Sequence, residues 1–319
     1  MPYSNYPSGF ANGITLRGVP IQQLHPGEVF FVNNSSVLAK QGVGGSDGNA
    51  GTYQKPKSTI AGAITAATSG RGDVVICMPG HSETIETDGG LALSKAGVAV
   101  IGLGVGTLRP VIIVDTLAAA AITVTAANVT LQNFEIRASF ADITNAIDVS
   151  AAWFSLLDCE FTEEGANLNF LDYVNASGAT ANDCDGLRIE GCVGTAIDAA
   201  QNSFLSIVED LDRLVFNDNF YSSSHANTLA AILCATGKDL TDCEVLRNRV
   251  NSVGKTTGDV LIDNDTTANT GIVAHNVVGH ADVGAAVIVD CDGVRQFENY
   301  SNSTNTTSGA LMPAADSIT

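Results

Sequence analysis

Two hydrophobic rhythms divide the chain, and the second occupies nearly all of it. Ile60, Ala63, Ile64 and Ala67 fall at i, i+3, i+4 and i+7, the spacing of one helix face. Ser58 or Thr59 stands where an N-cap belongs and Ser69-Gly70 follows, so the pattern predicts one short helix over residues 59–69. Short β-branched runs bounded by Gly, Asn or Asp come next: Asp73–Met78, Val98–Ile101, Val111–Val114 and Ala121–Thr125. These are strand signals, and no later stretch sustains a helical period.

Self-similarity organises the remainder. Seven segments share an apolar-x-apolar start followed by a polar or glycine turn residue: Asn133, Asp158, Gly191, Asn219, Asn248, Asn276 and Asn299. Subtracting neighbours gives spacings of 25, 33, 28, 29, 28 and 23 residues. Further short strands precede several of them, at Ala146–Val149, Ala230–Cys234, Asp259–Asp263 and Ala285–Val289. So short a repeat leaves no room for the crossover helix of a βαβ unit. Each repeat is expected to wind once around a common axis, its strands stacking at about 4.8 Å, and about eight to ten coils would make a rod about 40–50 Å long. Asn at the turn suits both a left-handed conformation and an amide ladder from coil to coil.

The expected order is an extended arm over 1–41, a Gly-rich loop and capping helix over 42–72, a parallel β-helix over 73–305 and a polar tail over 306–319. The arm is punctuated by Pro2, Pro7, Pro20 and Pro26, contains one strand signal at Glu28–Val32, and carries Phe10, Ile14, Leu16, Val19 and Ile21 as residues able to pack on something. The helix is expected to cover the first coil and shield its strand edge. The segments Glu163–Tyr173 and Thr195–Ser206 exceed the basic turn and read as side loops.

Composition restricts the partners. Thirty-four acidic against 15 basic residues give a formal charge of −19, so phosphate backbones and anionic lipid are repelled and neither nucleic acid nor membrane is an expected partner. The most apolar stretch, Val111–Val124, is interrupted by Asp115, Thr116 and Thr123 and falls short of the roughly 18 residues of a spanning helix. No secretory signal is visible at Met1–Tyr6. The seven cysteines, Cys77, Cys159, Cys184, Cys192, Cys234, Cys243 and Cys291, contain no C-x-x-C and read as reduced, mostly buried thiols.

Gly45–Ile60, the helix, Arg71–Ile85 and Val98–Gly104 together resemble the opening segment of pectate-lyase-like right-handed β-helix proteins. The whole chain, from MPYSNYPSGF onwards, is similar to β-helix proteins encoded among the virion structural genes of tailed bacteriophages and prophages. The resemblance implies an all-β, right-handed parallel β-helix (solenoid) with a short N-terminal capping helix and an extended arm. It also implies a virion location, assembly in the host cytoplasm, a homotrimer, and a major capsid protein or another virion protein as partner. Proteins of this fold include polysaccharide lyases and hydrolases, tailspikes and non-enzymatic capsid or tail components.

Asp183 and Asp185 beside Arg188, Asp263 with Asp265, and Asp290 with Asp292 near Arg295 are spaced to hold a hard cation, but in so acidic a chain they read as turn residues. Glu163 and Glu164 read as exposed loop acids, Trp153 as packing at the start of a core strand, and His81 as a turn residue. His275 and His280 lack the spacing of a metal pair, the Gly42–Gly51 loop lacks a P-loop or dinucleotide fingerprint, and no G-x-S-x-G occurs. No catalytic, cofactor or metal residue is therefore assigned. The expected role is a non-enzymatic capsid decoration or cement protein. The alternative is a tailspike or tail fibre that binds or cleaves host polysaccharide as lyase or hydrolase.

Overall fold

In the computed structural model the described residues are 27–34, 44–165, 167–181, 183–197, 203–223, 230–252, 260–264, 266, 268–280 and 289–301, with the backbone alone of 15–16, 19–20 and 310–312. Three parallel sheets run the length of a right-handed β-solenoid. Among the described residues the first sheet has ten strands, from Val29–Val32 through Val74–Cys77 and Ala99–Gly102 to Arg295–Phe297. The second runs from Ser82–Ile85 to Asn299–Ser301, and the third has eight strands from Leu91–Leu93 to Val289–Cys291. Nine intervals of about 4.8 Å make the first sheet about 43 Å tall.

Inward positions alternate with outward ones along most rungs of the first two sheets. Val75, Val100, Leu131, Leu156, Ile189, Phe216, Val245 and Val273 stack in register on the axis side of the first sheet, all without solvent exposure. Phe161, Tyr173, Phe204 and Tyr221 form an edge-to-face and stacked aromatic cluster. All seven cysteines are buried and free; burial pushes the thiols of Cys159 and Cys234 up to about 12 and that of Cys243 to about 11, so they stay protonated and inert.

Helix α1 (Ile60–Ala66) is capped by Thr59, whose side chain accepts from the Gly62 N–H, and buries Ile60, Ala63 and Ile64 over the first coil as expected. The first rung differs from expectation. Val29–Val32, placed by sequence in the arm, pairs in parallel with Val74–Cys77 and opens the first sheet, so the solenoid begins before residue 73. Its outer edge is closed by Gly51 and Lys57, whose backbones bond Phe31. At the other end Ala310–Met312, expected within a polar tail, pairs antiparallel with Asn299–Ser301. The arm's apolar side chains Phe10, Ile14, Leu16, Val19 and Ile21, the rest of the tail and Asp265 lie outside the described residues.

The two segments expected as side loops contain strands. Glu163 closes the strand Glu160–Glu163 of the second sheet, where its Oε2 accepts from the Ile197 N–H at 2.8 Å, and Phe170–Ala176 is a strand of the third. Val193–Ala196 and Ser203–Ile207 are likewise strands.

The turn chemistry is offset by one residue in four of the seven repeats. Asn133, Asp158 and Gly191 do adopt the left-handed conformation, with φ of 62, 54 and 65°. In the later coils that conformation belongs to Asp218, Arg247, His275 and Glu298, each one residue before the asparagine expected to adopt it. Asn219, Asn248, Asn276 and Asn299 instead point inward, at most 2% exposed. Each Oδ1 accepts the main-chain N–H of the residue below it, from Cys192, Asn219, Asn248 and Asn276 in turn, at 2.8–3.1 Å. Each Nδ2 donates to a rung carbonyl of the coil below, at Ile189, Phe216, Val245 and Val273. Cys192 and Cys159 continue the column with sulfur: their Sγ atoms lie 3.6 and 3.9 Å from the Leu156 and Leu131 carbonyls.

A second left-handed column precedes the first sheet, at Gly72, Gly97, Asn128, Trp153, Gly186, Arg213, Asp242 and Gly293. From Asn128 to Asp242 it stands five residues before the turn that follows the rung, at 128/133, 153/158, 186/191, 213/218 and 242/247. Four residues therefore sit between two fixed bends, and variation in coil length falls on the other flanks.

Asp73 ties the helix to the first rungs. Fully buried, it accepts from Glu28 N, Thr68 N and the Arg71 guanidinium at 2.7–2.8 Å. The Arg71 hydrogen bond, helped by the two backbone donors, outweighs burial and holds the carboxyl at about 2 against an ordinary 3.8. Asp73→Asn is expected to lose about 2 kcal/mol at neutral pH. Because the folded pKa is the lower one, this stability is present above about 4 and fades as pH falls toward 2. Melting curves of the two proteins should therefore converge on acidification; a constant gap would reject the assignment.

Candidate functional site

The outer face of the first sheet carries a groove of about 630 Å³, lined among others by Thr130, Trp153, Ser155, Gly186, Arg188, Arg213 and Glu244. Trp153 forms its most unusual wall. It has φ +61° and is 47% exposed, whereas sequence reading placed it in core packing. A bulky side chain in this conformation costs roughly 1–2 kcal/mol. The fold accommodates the indole because the next coil offers Gly186 at the same position: a Cβ there would lie 2.3 Å from the Trp153 ring. One coil further on, the Arg213 guanidinium sits 5.0 Å from the ring centroid, a cation–π distance. Asp212 at 2.6 Å and Asp185 at 3.5 Å hold that arginine in place. The groove thus combines a flat aromatic edge with hydroxyls and charges of both signs.

The structure disperses the carboxylates singled out by sequence. Asp183 caps its own turn, accepting from Thr180 N and Oγ1 at 2.9 and 2.8 Å, and these bonds hold its pKa down. Asp185 accepts from Asp212 N at 2.9 Å. Arg188 pairs with Glu190 rather than with either aspartate. Asp263 pairs in register with Asp290 of the next coil, on the outside of the third sheet; Asp292 and Arg295 are exposed nearby. Glu164 meets Ser139 Oγ at 3.0 Å and Arg137 at 3.6 Å.

The three histidines among the described residues make local contacts. His81, expected in a turn, is fully buried; its Nδ1 accepts from Asn34 N and its Nε2 lies 3.2 Å from Glu83, which also caps Ile60 N. His275 pairs with Glu298 at 3.0 Å and His280 meets Ser301 at 3.2 Å inside the solenoid. Among the described residues no group of three His, Cys, Asp or Glu is placed to hold a metal ion.

One carboxylate pair escaped sequence reading. Asp148 and Asp172 lie on adjacent coils of the third sheet, and burial raises the pKa of both. Raised carboxylates suit acid catalysis, but here Asp148 accepts from Asn145 and Asn175 and Asp172 from Ser203 N and Oγ. The bonds from Asn175 and Ser203 join residues 27 and 31 apart on neighbouring coils, and no sequence signal marks them without the register.

No family model and no curated protein matches the chain. Solved structures with a similar course include a rhamnogalacturonan lyase (14% identity, TM-score 0.47, covering 90% of each chain). A GH136 lacto-N-biosidase from Eubacterium ramulus is similar at 11% identity and TM-score 0.38, over 88% of this chain and 68% of that one. ORF18 of Geobacillus virus E2 is similar at 10% and 0.32, over 76% and 57%. These likenesses concern the path of the chain alone.

Proposed function

We propose that the chain is a non-enzymatic structural component of a bacteriophage particle, a rigid trimeric rod serving as a capsid decoration or cement protein on the major capsid protein. The observation that carries the reading is where its polar groups are used: the buried asparagines and most of the candidate carboxylates form coil-to-coil or local bonds, which stiffen a rod and leave few convergent groups for chemistry. The phage setting follows from the resemblance of residues 45–60, 71–85 and 98–104 and of the chain as a whole. The arm is the docking element. Labelled protein added to particles lacking it is expected to decorate the capsid, and deletion of residues 1–26, which spares the first rung, to abolish binding. Labelling confined to the tail, or full binding by the deletion variant, would overturn the respective claim.

Trp153 favours a second reading, a tail protein that engages host polysaccharide through the groove. As the chain's one tryptophan, it reports on the groove by its own fluorescence. Under the decoration reading, host capsule or lipopolysaccharide leaves the emission unchanged and yields neither reducing ends nor unsaturated uronates. A saturable change, together with calorimetric binding of the same glycan that is lost in Trp153→Asn, a residue suited to the left-handed position, would establish the second reading.

A further inference from the structure

The outward side of the first sheet changes character along the rod. Over its first three rungs every outward side chain is apolar: Val29, Phe31, Val74, Ile76, Ala99 and Ile101. The next two rungs add Thr130, Gln132, Ser155 and Leu157, again without a charge. From there on the same positions include Arg188, Glu190, Glu244 and Arg295. The apolar end is open: Val29 is 47% exposed, Tyr53 stands edge-on to Phe31 at 61%, and Val105, in the turn after the third rung, reaches 79%.

Charge selects the occupant. Copies of a chain with a formal charge of −19 repel one another wherever acidic flanks meet. A face with no carboxylate in ten successive outward positions is where that repulsion is weakest and the apolar gain largest. A nucleic acid or anionic membrane gains nothing from a face without Lys or Arg, and a basic protein is drawn to the acidic flanks instead. We propose that this face, centred on Ile76 and Ile101, is where copies of this chain pack side by side. The assignment rests on the trimeric reading above and specifies its contact surface. Confinement to one flank of one end lets rods close around an axis while their charged ends diverge.

The test uses the full chain. Sedimentation of the unaltered protein at micromolar concentration is expected to give a trimer, and Ile76→Glu and Ile101→Lys a monomer with unchanged circular dichroism. Arg295→Glu, on the charged half, should leave the trimer intact. A monomeric parent would overturn the trimeric reading and this one with it. A trimeric parent whose two variants stay trimeric would overturn only the choice of face. Should the variants fail to fold, a photo-reactive phenylalanine analogue at position 101 decides: cross-links between chains support the proposal, whereas cross-links to residues 1–26 of the same chain, or none, reject it.

Discussion

Asn248→Leu is expected to destabilise the protein by about 3–5 kcal/mol, although side-chain volume is nearly kept. Asn248 Oδ1 accepts the Asn219 N–H at 3.0 Å, and its Nδ2 donates to the Phe216 carbonyl at 2.7 Å and to Asn276 Oδ1 at 3.0 Å. Leucine leaves a buried main-chain donor and a buried main-chain acceptor unsatisfied, each worth roughly 1–3 kcal/mol. Since each coil of a solenoid touches only its neighbours, the loss should also uncouple the coils on either side. Thermal unfolding followed by hydrogen exchange is expected to show residues beyond 248 opening before the N-terminal coils. Cys192→Asn provides the converse case. Its amide would occupy the place where the thiol already faces the Leu156 carbonyl, so stability should be held or gained. Loss in Cys192→Asn comparable with that in Asn248→Leu would refute a ladder continued by sulfur.

Ile189→Asp is expected to abolish folding or to cost at least about 4 kcal/mol, because it buries an unpaired carboxylate on the axis. Ile189 has no solvent exposure and stacks between Leu156 and Phe216. The residues on either side point outward, so Glu190→Gln should change stability by no more than about 0.5–1 kcal/mol. Chemical denaturation of the two variants checks the inward register directly. Equal effects would mean that the rung faces are misassigned.

The repeat, most strands of the first sheet, the capping helix and the buried cysteines are legible in the sequence because they depend on local pattern: β-branched runs, turn residues and a helical spacing. The one-residue offset at Asn219, Asn248, Asn276 and Asn299 is not. Asparagine serves a left-handed turn and an inward ladder equally well, and only the register shows that Asp218, Arg247, His275 and Glu298 make the bend. Trp153 misled for a related reason. A large aromatic near an apolar run signals core, and its exposure depends on Gly186, which lies 33 residues away in sequence and one coil away in space. The Asn175–Asp148 and Ser203–Asp172 bonds and the capture of Asp73 by Glu28 likewise arise from stacking, whose partners depend on the length of each coil.

The paired bends five residues apart give the chain a way to change size without redesign. Residues 219–247 begin on a ladder asparagine and end just before the next, so a tandem copy of this segment would meet asparagine at both seams and present the same rung faces above and below. Each such duplication would lengthen the rod by about 4.8 Å at constant cross-section. The molecule is in this sense a ruler with interchangeable graduations, in which reach can be adjusted by whole units while girth is fixed.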